Sequence, residues 1–371
     1  MALLSYKYRI EPNRTQAAAL GEMLADFCQL YNAALEQRID AWRRRQVSVT
    51  YKMQADELKA VRCAAPGLAR WSFTAEQQVL RRLDKTFKAF FARGRGFPRF
   101  RARSRFHAAE FRVGDGLTIR KSGKLGFVGV PGEIRVRWHR ELPSKPKSAI
   151  LTRQAGKWYV VFHVEVDAVE RASPDSIGID FGLSSLIALS DGHTVPRPNW
   201  TKRAARELRR RQRAIARCKR GSTTRAKRKA ALARFHARVA AKRRDHLHKI
   251  SSDLVDRFGR IAIEDLNVKG LASGMLAKHV HDASWAQLTA MLDYKAARAG
   301  VELVKVDPRG TSQTCPQCGT IRAKTLAERE HRCDCGCRLD RDVAAAMVVH
   351  YRAFGFWPGT GREPLSVPVT A

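Results

Sequence analysis

The sequence is short of acid. Asp plus Glu number 35 against 70 Lys plus Arg, a net charge of +35 over 371 residues. A protein this one-sided repels itself and needs a polyanion nearby. Nucleic acid is the leading partner class and a membrane surface the second. Mere solubility seldom demands so large an imbalance. Long hydrophobic runs are also missing. None approaches the roughly 20 residues of a membrane span, and the N-terminus carries no signal-peptide pattern. No membrane partner and a cytoplasmic location are therefore expected. No internal repeat is found. Hydrophobic residues still make up 44%, enough for two or three domains with cores of their own.

Because acid is scarce, an acid that ends an apolar strand carries information. Ser176-Ile-Gly-Ile-Asp180-Phe-Gly182-Leu183 reads as a buried strand terminating on Asp180. A second apolar run, Leu186 to Leu189, lies between Gly182 and Gly192, so a hydrophobic hairpin would hold Asp180 rigidly. Ile261-Ala-Ile-Glu264-Asp265-Leu266 is built the same way. Strand alternation puts Glu264 and Asp265 on opposite faces, and Glu264 is the preferred member. Asp340-Arg-Asp342 opens a final apolar helix, where the helix dipole favours acids; Asp340 and Asp342 compete for the role there. A buried charge is costly unless it is paired or holds a metal. Carboxylates are hard ligands suited to Mg2+ or Mn2+. Two such ions roughly 4 Å apart can activate water and stabilise the leaving oxygen in phosphodiester hydrolysis.

Along the chain, Leu3 to Ile10 alternates as a strand, and Asn13 or Thr15 can cap the helix that follows. Arg43 to Arg45 with Trp42 suggest a basic turn. Helices are expected from Lys52 to Arg62 and from Phe73 to Phe91. The second of these sets an apolar face against Gln77, Arg81 and other cations, a pattern that suits a nucleic-acid groove or a solvated surface. Arg93 to Arg103 interleaves Arg99, Arg101 and other basic residues with Phe97 and Phe100 around Gly96-Pro98, as phosphate contact with base stacking requires. From Phe106 to Val166 the pattern turns to short strands, read as a small β-barrel with the earlier helices inserted after its first strand. Thr201 to His248 reads as two basic helices broken near Gly221-Ser222. Arg209, Arg210 and Arg213 on the first of them are candidate phosphate contacts. A loop is expected from Asn267 to His281, a helix from Trp285 to Ala299 and a strand from Val301 to Val306. Strand and helix thus alternate from 176 to 306, which implies an α/β layer. The Pro/Gly-rich tail after Phe356 is expected to be disordered.

Five of the eight cysteines fall between Cys315 and Cys337. Cys315-Pro-Gln-Cys318-Gly is a metal knuckle, and Cys333-Asp-Cys335-Gly-Cys337 is its partner. Four thiolates would hold one tetrahedral, structural Zn2+. Cys333 and Cys335 are assigned with Cys315 and Cys318, because Gly336 after Cys335 mirrors Gly319 after Cys318. Cys337 remains the alternative ligand.

The order Gly-Ile-Asp180, Ile-Glu264-Asp-Leu, Thr311-Ser-Gln-Thr-Cys315-x2-Cys318-Gly and Asp340-Arg-Asp342-Val-x-Ala-Ala resembles TnpB. These are insertion-sequence proteins related to the type V CRISPR effector nucleases. Tyr6-Lys-Tyr-Arg-Ile-x-Pro12, Tyr31-Asn32, Gly96-x-Pro98-Arg-Phe100 and Trp285 also fit, so the resemblance spans nearly the whole chain. It implies a multidomain α/β plus β-barrel protein. A wedge barrel would occupy 1–10 and 104–168, and a helical recognition insertion 11–103. A RuvC-like nuclease of the RNase H type would occupy 173–310 and 338–356, with a zinc ribbon at 311–337 and a tail at 357–371. It implies RNA-guided cleavage of double-stranded DNA beside a short transposon-adjacent motif. Guide RNA and target DNA would be the partners, and the protein would act as a monomer on RNA. Asp180, Glu264 and Asp342 become the catalytic, magnesium-binding acids. Tyr51 and Gln77 lie where the family reads the adjacent motif. The sequence departs from the family at Ala344, where Asn is usual. A nuclease-inactive guided repressor, a transposition accessory protein and a compact CRISPR effector are the competing readings. No paired-His motif with a nearby Tyr nucleophile is present, so strand transfer is not expected.

Overall fold

The computed structural model describes residues 2–167, 173–182, 184–267, 270, 284–325 and 328–358. It separates into two compact units, Leu3–Val166 and the described residues from Asp167 onward.

The first unit begins with β1 (Ala2–Glu11) and α1 (Arg14–Arg45). Asn13 caps α1: its side chain accepts from the Gln16 N–H while the Gln16 side chain accepts from the Asn13 N–H. The helix runs through Arg43–Arg45, where a turn was expected. Arg is a good helix former, and cations are favourable in a last turn. Three further helices follow: α2 (Tyr51–Ala64), α3 (Pro66–Ala69) and α4 (Phe73–Phe91). Ser72 caps α4, and Val79, Leu80, Leu83 and Phe87 form its buried stripe.

The strands β2 (Ala108–Val113), β3 (Gly116–Ile119), β4 (Leu125–Phe127), β5 (Arg135–Arg137), β6 (Ser148–Gln154) and β7 (Lys157–Val166) join β1 in a seven-stranded sheet. Its order is β4-β3-β2-β6-β7-β1-β5. Leu125 and Ile134 exchange two backbone hydrogen bonds of 2.9 and 2.8 Å, which tie the β4 edge to the residue preceding β5 and nearly close the sheet into a barrel. β7 alternates buried Trp158, Val160, Phe162 and Val164 with more exposed residues.

In the second unit, β8 (Ser176–Asp180), β9 (Ser185–Leu189), β10 (Thr194–Pro196), β11 (Arg260–Glu264) and β12 (Glu302–Val306) form a sheet of order β10-β9-β8-β11-β12. The neighbours β8, β11 and β12 run parallel; β9 and β10 are antiparallel additions. The intervening helices are α5 (Trp200–Ala216), α6 (Thr223–Arg257) and α7 (Trp285–Ala299). On one face Ile177, Ile179, Ile261 and Ile263 pack in a core with Leu247 and Leu254 of α6 and Leu288 and Leu292 of α7. The other face is covered by α8 (Arg341–Phe354). A short hairpin, β13 (Glu330–Arg332) and β14 (Arg338–Asp340), leads into α8. The expected loop from Asn267 to His281 falls almost wholly outside the described residues, as does the tail from 359 onward. No described helix is long and apolar enough to cross a membrane.

Candidate functional site

Ile179 of β8 stands opposite Ile263 of β11, so Asp180 and Glu264 follow at the next register position, at the carboxyl ends of two parallel strands. With the isoleucines on the α6/α7 face, alternation turns both acids toward α8. The first turn of α8 supplies Asp342. Asp340, its competitor in the sequence, is engaged as the helix cap: its Oδ1 accepts from the N–H groups of Asp342 (2.9 Å) and Val343 (3.2 Å). Asp265 is exposed and lies off this face. Two glycines permit the close approach. A Cβ at Gly178 would overlap the Ala346 carbonyl oxygen and lie 2.7 Å from His350 Cβ, so β8 and α8 touch backbone to backbone. A Cβ at Gly182 would lie 2.9 Å from Asp342 Oδ2.

Asp180 and Glu264 are 9% and 7% exposed. Burial pushes the Asp180 carboxyl well above the usual range, and the charges of Glu264 and Asp342 push it further. Burial likewise raises Asp342, with Asp340 adding to it and Arg329 and Arg341 opposing. Glu264 is raised by burial but relieved by a hydrogen bond: the Thr311 hydroxyl lies 2.6 Å from its Oε1. The positive charge of Arg352 also favours its ionised form. Arg352 donates to the carbonyls of Asp307 (2.8 Å) and Arg309 (2.7 Å), fixing the segment that presents Thr311. Mutually repelling, buried carboxylates are the donor set that a hard divalent cation relieves. They do not form a closed cage: among the described residues, the groups whose ligand atoms lie within 4.8 Å of one another are all cysteine sets, one of them including a histidine. A cavity of about 370 Å³, lined by Phe181, Glu264, Asn267 and Trp285 among others, opens beside Glu264.

The first cysteine set is Cys315, Cys318, Cys333 and Cys335, with all four Sγ within 4.8 Å of one another. Sγ separations are 3.7 Å for Cys315–Cys335 and 3.5 Å for Cys318–Cys333. Gly319 (φ 74°) and Gly336 (φ 89°) take the left-handed turns that close the two knuckles. Cys337 belongs to a different group, with Cys315 and His331.

The residues singled out for nucleic-acid contact scatter over both units. Tyr51 is half-buried; its hydroxyl accepts from Arg81 Nε (3.0 Å), and the Arg81 guanidinium lies 5.3 Å from its ring centroid. Gln77 lies near the start of α4 and is half-buried. Arg99 and Arg101 are exposed beside Phe97 and Phe100, which are 49% and 56% exposed. Arg209, Arg210 and Arg213 are exposed on α5, but Arg210 is paired with Glu207 at 2.8 Å.

Three residues with clear roles escaped the sequence reading. Thr311 orients Glu264, and its signal was the Thr-Ser-Gln-Thr run before the first knuckle. Asn32 clamps the basic–aromatic segment: it donates to the Arg101 carbonyl (2.9 Å) and accepts from the Arg101 N–H (2.8 Å). The third, His331, sits beside Cys315 and Cys337.

Comparison with known proteins agrees in its parts. Residues 159–274 match the family OrfB of IS605, described as "Probable transposase"; 285–349 match "Cas12f1-like, TNB domain"; and 1–46 match "Helix-turn-helix domain". In the structure that last segment is one strand followed by one long helix. A Streptomyces pristinaespiralis protein carrying the name "Putative RNA-guided DNA endonuclease" is 36% identical, covering 93% of this chain and 88% of its own. The Escherichia coli K12 protein InsQ, similarly named, is 26% identical over 89% and 87%. Among solved structures, Cas12f1 in the Cas12f1–sgRNA–target DNA complex has a TM-score of 0.59 at 12% identity, covering 89% of this chain and 82% of that one. That likeness concerns the fold.

Proposed function

The chain belongs to the TnpB (OrfB) family, and we propose on that premise that it is an RNA-guided endonuclease. It would cut double-stranded DNA beside a short adjacent motif by metal-dependent phosphodiester hydrolysis. The observation that carries this reading is the convergence of Asp180, Glu264 and Asp342 on one face, in a chain of net charge +35. Asp180 and Glu264 end the parallel strands β8 and β11, where an open α/β sheet offers its ligand crevice, and Asp342 adds a third carboxylate from α8.

In this reading the second unit holds a RuvC-like nuclease interrupted by a zinc ribbon, and the first holds the wedge barrel with its helical insertion. When bound, Mg2+ or Mn2+ supplies Lewis acidity at the scissile phosphate, by the two-ion scheme in its full form. Asp180 and Glu264 furnish buried carboxylates whose positions are fixed by rigid strands, and Thr311 orients Glu264 and favours its ionised form against the burial that opposes it. Asp342 completes the set from α8, whose first turn Asp340 pins. Cys315, Cys318, Cys333 and Cys335 would hold Zn2+ in a closed structural site. Arg209, Arg213 and their neighbours on the basic helices would neutralise phosphates of guide or target, while guide pairing supplies sequence specificity. Tyr51, Gln77 and Arg81 are proposed to face the adjacent motif.

The test is reprogramming. Replacing the guide segment of the co-expressed RNA should redirect cutting to a plasmid bearing the new match. Asp180→Ala, Glu264→Ala and Asp342→Ala should each abolish cutting while RNA binding persists. Retargeted binding without cutting in the unaltered protein would favour the guided repressor and turn attention to Ala344, which is buried two residues after Asp342.

A further inference from the structure

Four thiolates complete a tetrahedral site, yet this segment has five cysteines. The fifth, Cys337, is buried at 6% exposure. Its Sγ, the Cys315 Sγ and a ring nitrogen of His331 all lie within 4.8 Å of one another. His331 is 1% exposed and sits on β13 opposite Leu339 of β14. Its Nδ1 meets the Lys324 amine nitrogen; a cation at Nε2 takes the Nδ1–H tautomer, in which that amine accepts. Its Nε2 is buried and has no hydrogen-bond partner among the described residues. An imidazole nitrogen shut away from water without a partner is unfavourable unless it binds something. The Cys315 and Cys337 sulfurs lie within 4.8 Å of one nitrogen of this ring. Imidazole and thiolate together select thiophilic cations such as Zn2+ over hard ones such as Mg2+.

We propose that Cys315, His331 and Cys337 hold a second thiophilic cation, Zn2+ in the first instance, with the Cys315 thiolate bridging it to the ion of the four-cysteine set. Formal charge favours the pair. One dication in four thiolates leaves two negative charges; two dications among five thiolates leave one. All three donors are buried, so the second ion is structural. It would fasten the β13–β14 hairpin to the first knuckle. That hairpin ends on Asp340, the cap of α8, so the ion would also steady the approach to Asp342. The inference shares Cys315 with the proposed zinc ribbon, and the count of ions separates the two.

The experiment is metal stoichiometry on the full chain, stripped of nucleic acid at high salt and held in excess Mg2+ to occupy the carboxylates. Elemental analysis after saturation with Zn2+ and removal of loose ion should give two Zn2+ per chain. Cys337→Ser and His331→Asn should each give one. Cys318→Ser with Cys333→Ser should also give one, the ion of the second site. In Co2+ titrations the second equivalent should add a visible band that both single variants lack. One Zn2+ per unaltered chain would overturn the proposal, and that measurement needs no variant to fold. Two ions that persist in both Cys337→Ser and His331→Asn would overturn it equally. Loss of one ion in Cys318→Ser/Cys333→Ser alone would support the four-cysteine site and not the second.

Discussion

Thr311→Val isolates the hydrogen bond that orients Glu264. The exchange keeps the branched shape and removes one hydroxyl, which lies 2.6 Å from a buried carboxylate oxygen. A hydrogen bond to a charged group contributes about 1.5–3 kcal/mol, and each 1.36 kcal/mol is tenfold in rate. If the bond is made in full when Glu264 acts, single-turnover cleavage should slow by roughly 10- to 150-fold. A second readout excludes a merely structural role. The hydroxyl favours the ionised carboxyl and lowers its pKa against the burial that raises it. Without it Glu264 holds its proton to higher pH, so the acidic limb of the pH–rate profile should move upward. Thr311→Ser should restore both rate and profile. An unmoved acidic limb in Thr311→Val, or Thr311→Ser as slow as Thr311→Val, would refute the argument.

The same carboxylates set the pH dependence of stability without metal. The folded pKa values of Asp180, Glu264 and Asp342 are raised, so above the ordinary carboxylate range the folded state holds more protons than the unfolded one. Stability is then present at low pH and lost as pH rises through the folded values. In EDTA, melting temperature should fall across that window. Asp180→Asn should flatten the fall and raise the melting temperature by roughly 2–4 °C per kcal/mol relieved, and added Mg2+ should stabilise the unaltered protein more than the variant. Gly178→Ala should cost about 1–3 kcal/mol by overpacking, read by denaturant melts, and should slow cleavage by displacing α8 and Asp342 from Asp180. In the first unit Arg62 pairs at 2.6 Å with Glu76, whose pKa burial pushes up to about 7. Arg62 is itself 20% exposed. Arg62→Ala should therefore cost about 2–3 kcal/mol, below the roughly 3–5 of a fully buried pair, and Glu76→Gln in that background should recover part of it.

Much of this was legible because the strands that carry the acids are short apolar runs with sharp ends. β8 and β11 end on Asp180 and Glu264, and α7 spans Trp285–Ala299, all as the periodicity indicates. Alternation also separated Glu264 from Asp265, since a strand has two faces and only one meets α8. Periodicity could not decide between Asp340 and Asp342, because both fall at a helix start. Only the cap geometry shows that Asp340 is occupied. The three-residue strand β4 is too short to register as a pattern, and its pairing with Ile134 is a single bridge outside any regular strand. Thr311 acts across 47 positions of sequence, and His331 reads as an ordinary strand residue until β13 folds back beside Cys315. Each of these roles exists only in three dimensions.

Guided, metal-dependent cutting is tested by cleavage of a plasmid library with randomised flanks, using the protein co-purified with its own transcript, in Mg2+ and in EDTA. Mg2+-dependent cutting beside a single flanking motif is expected, absent in EDTA and absent with Asp180→Ala. Cutting that ignores the flank, cutting that survives Asp180→Ala, or a preparation that carries no RNA would contradict it.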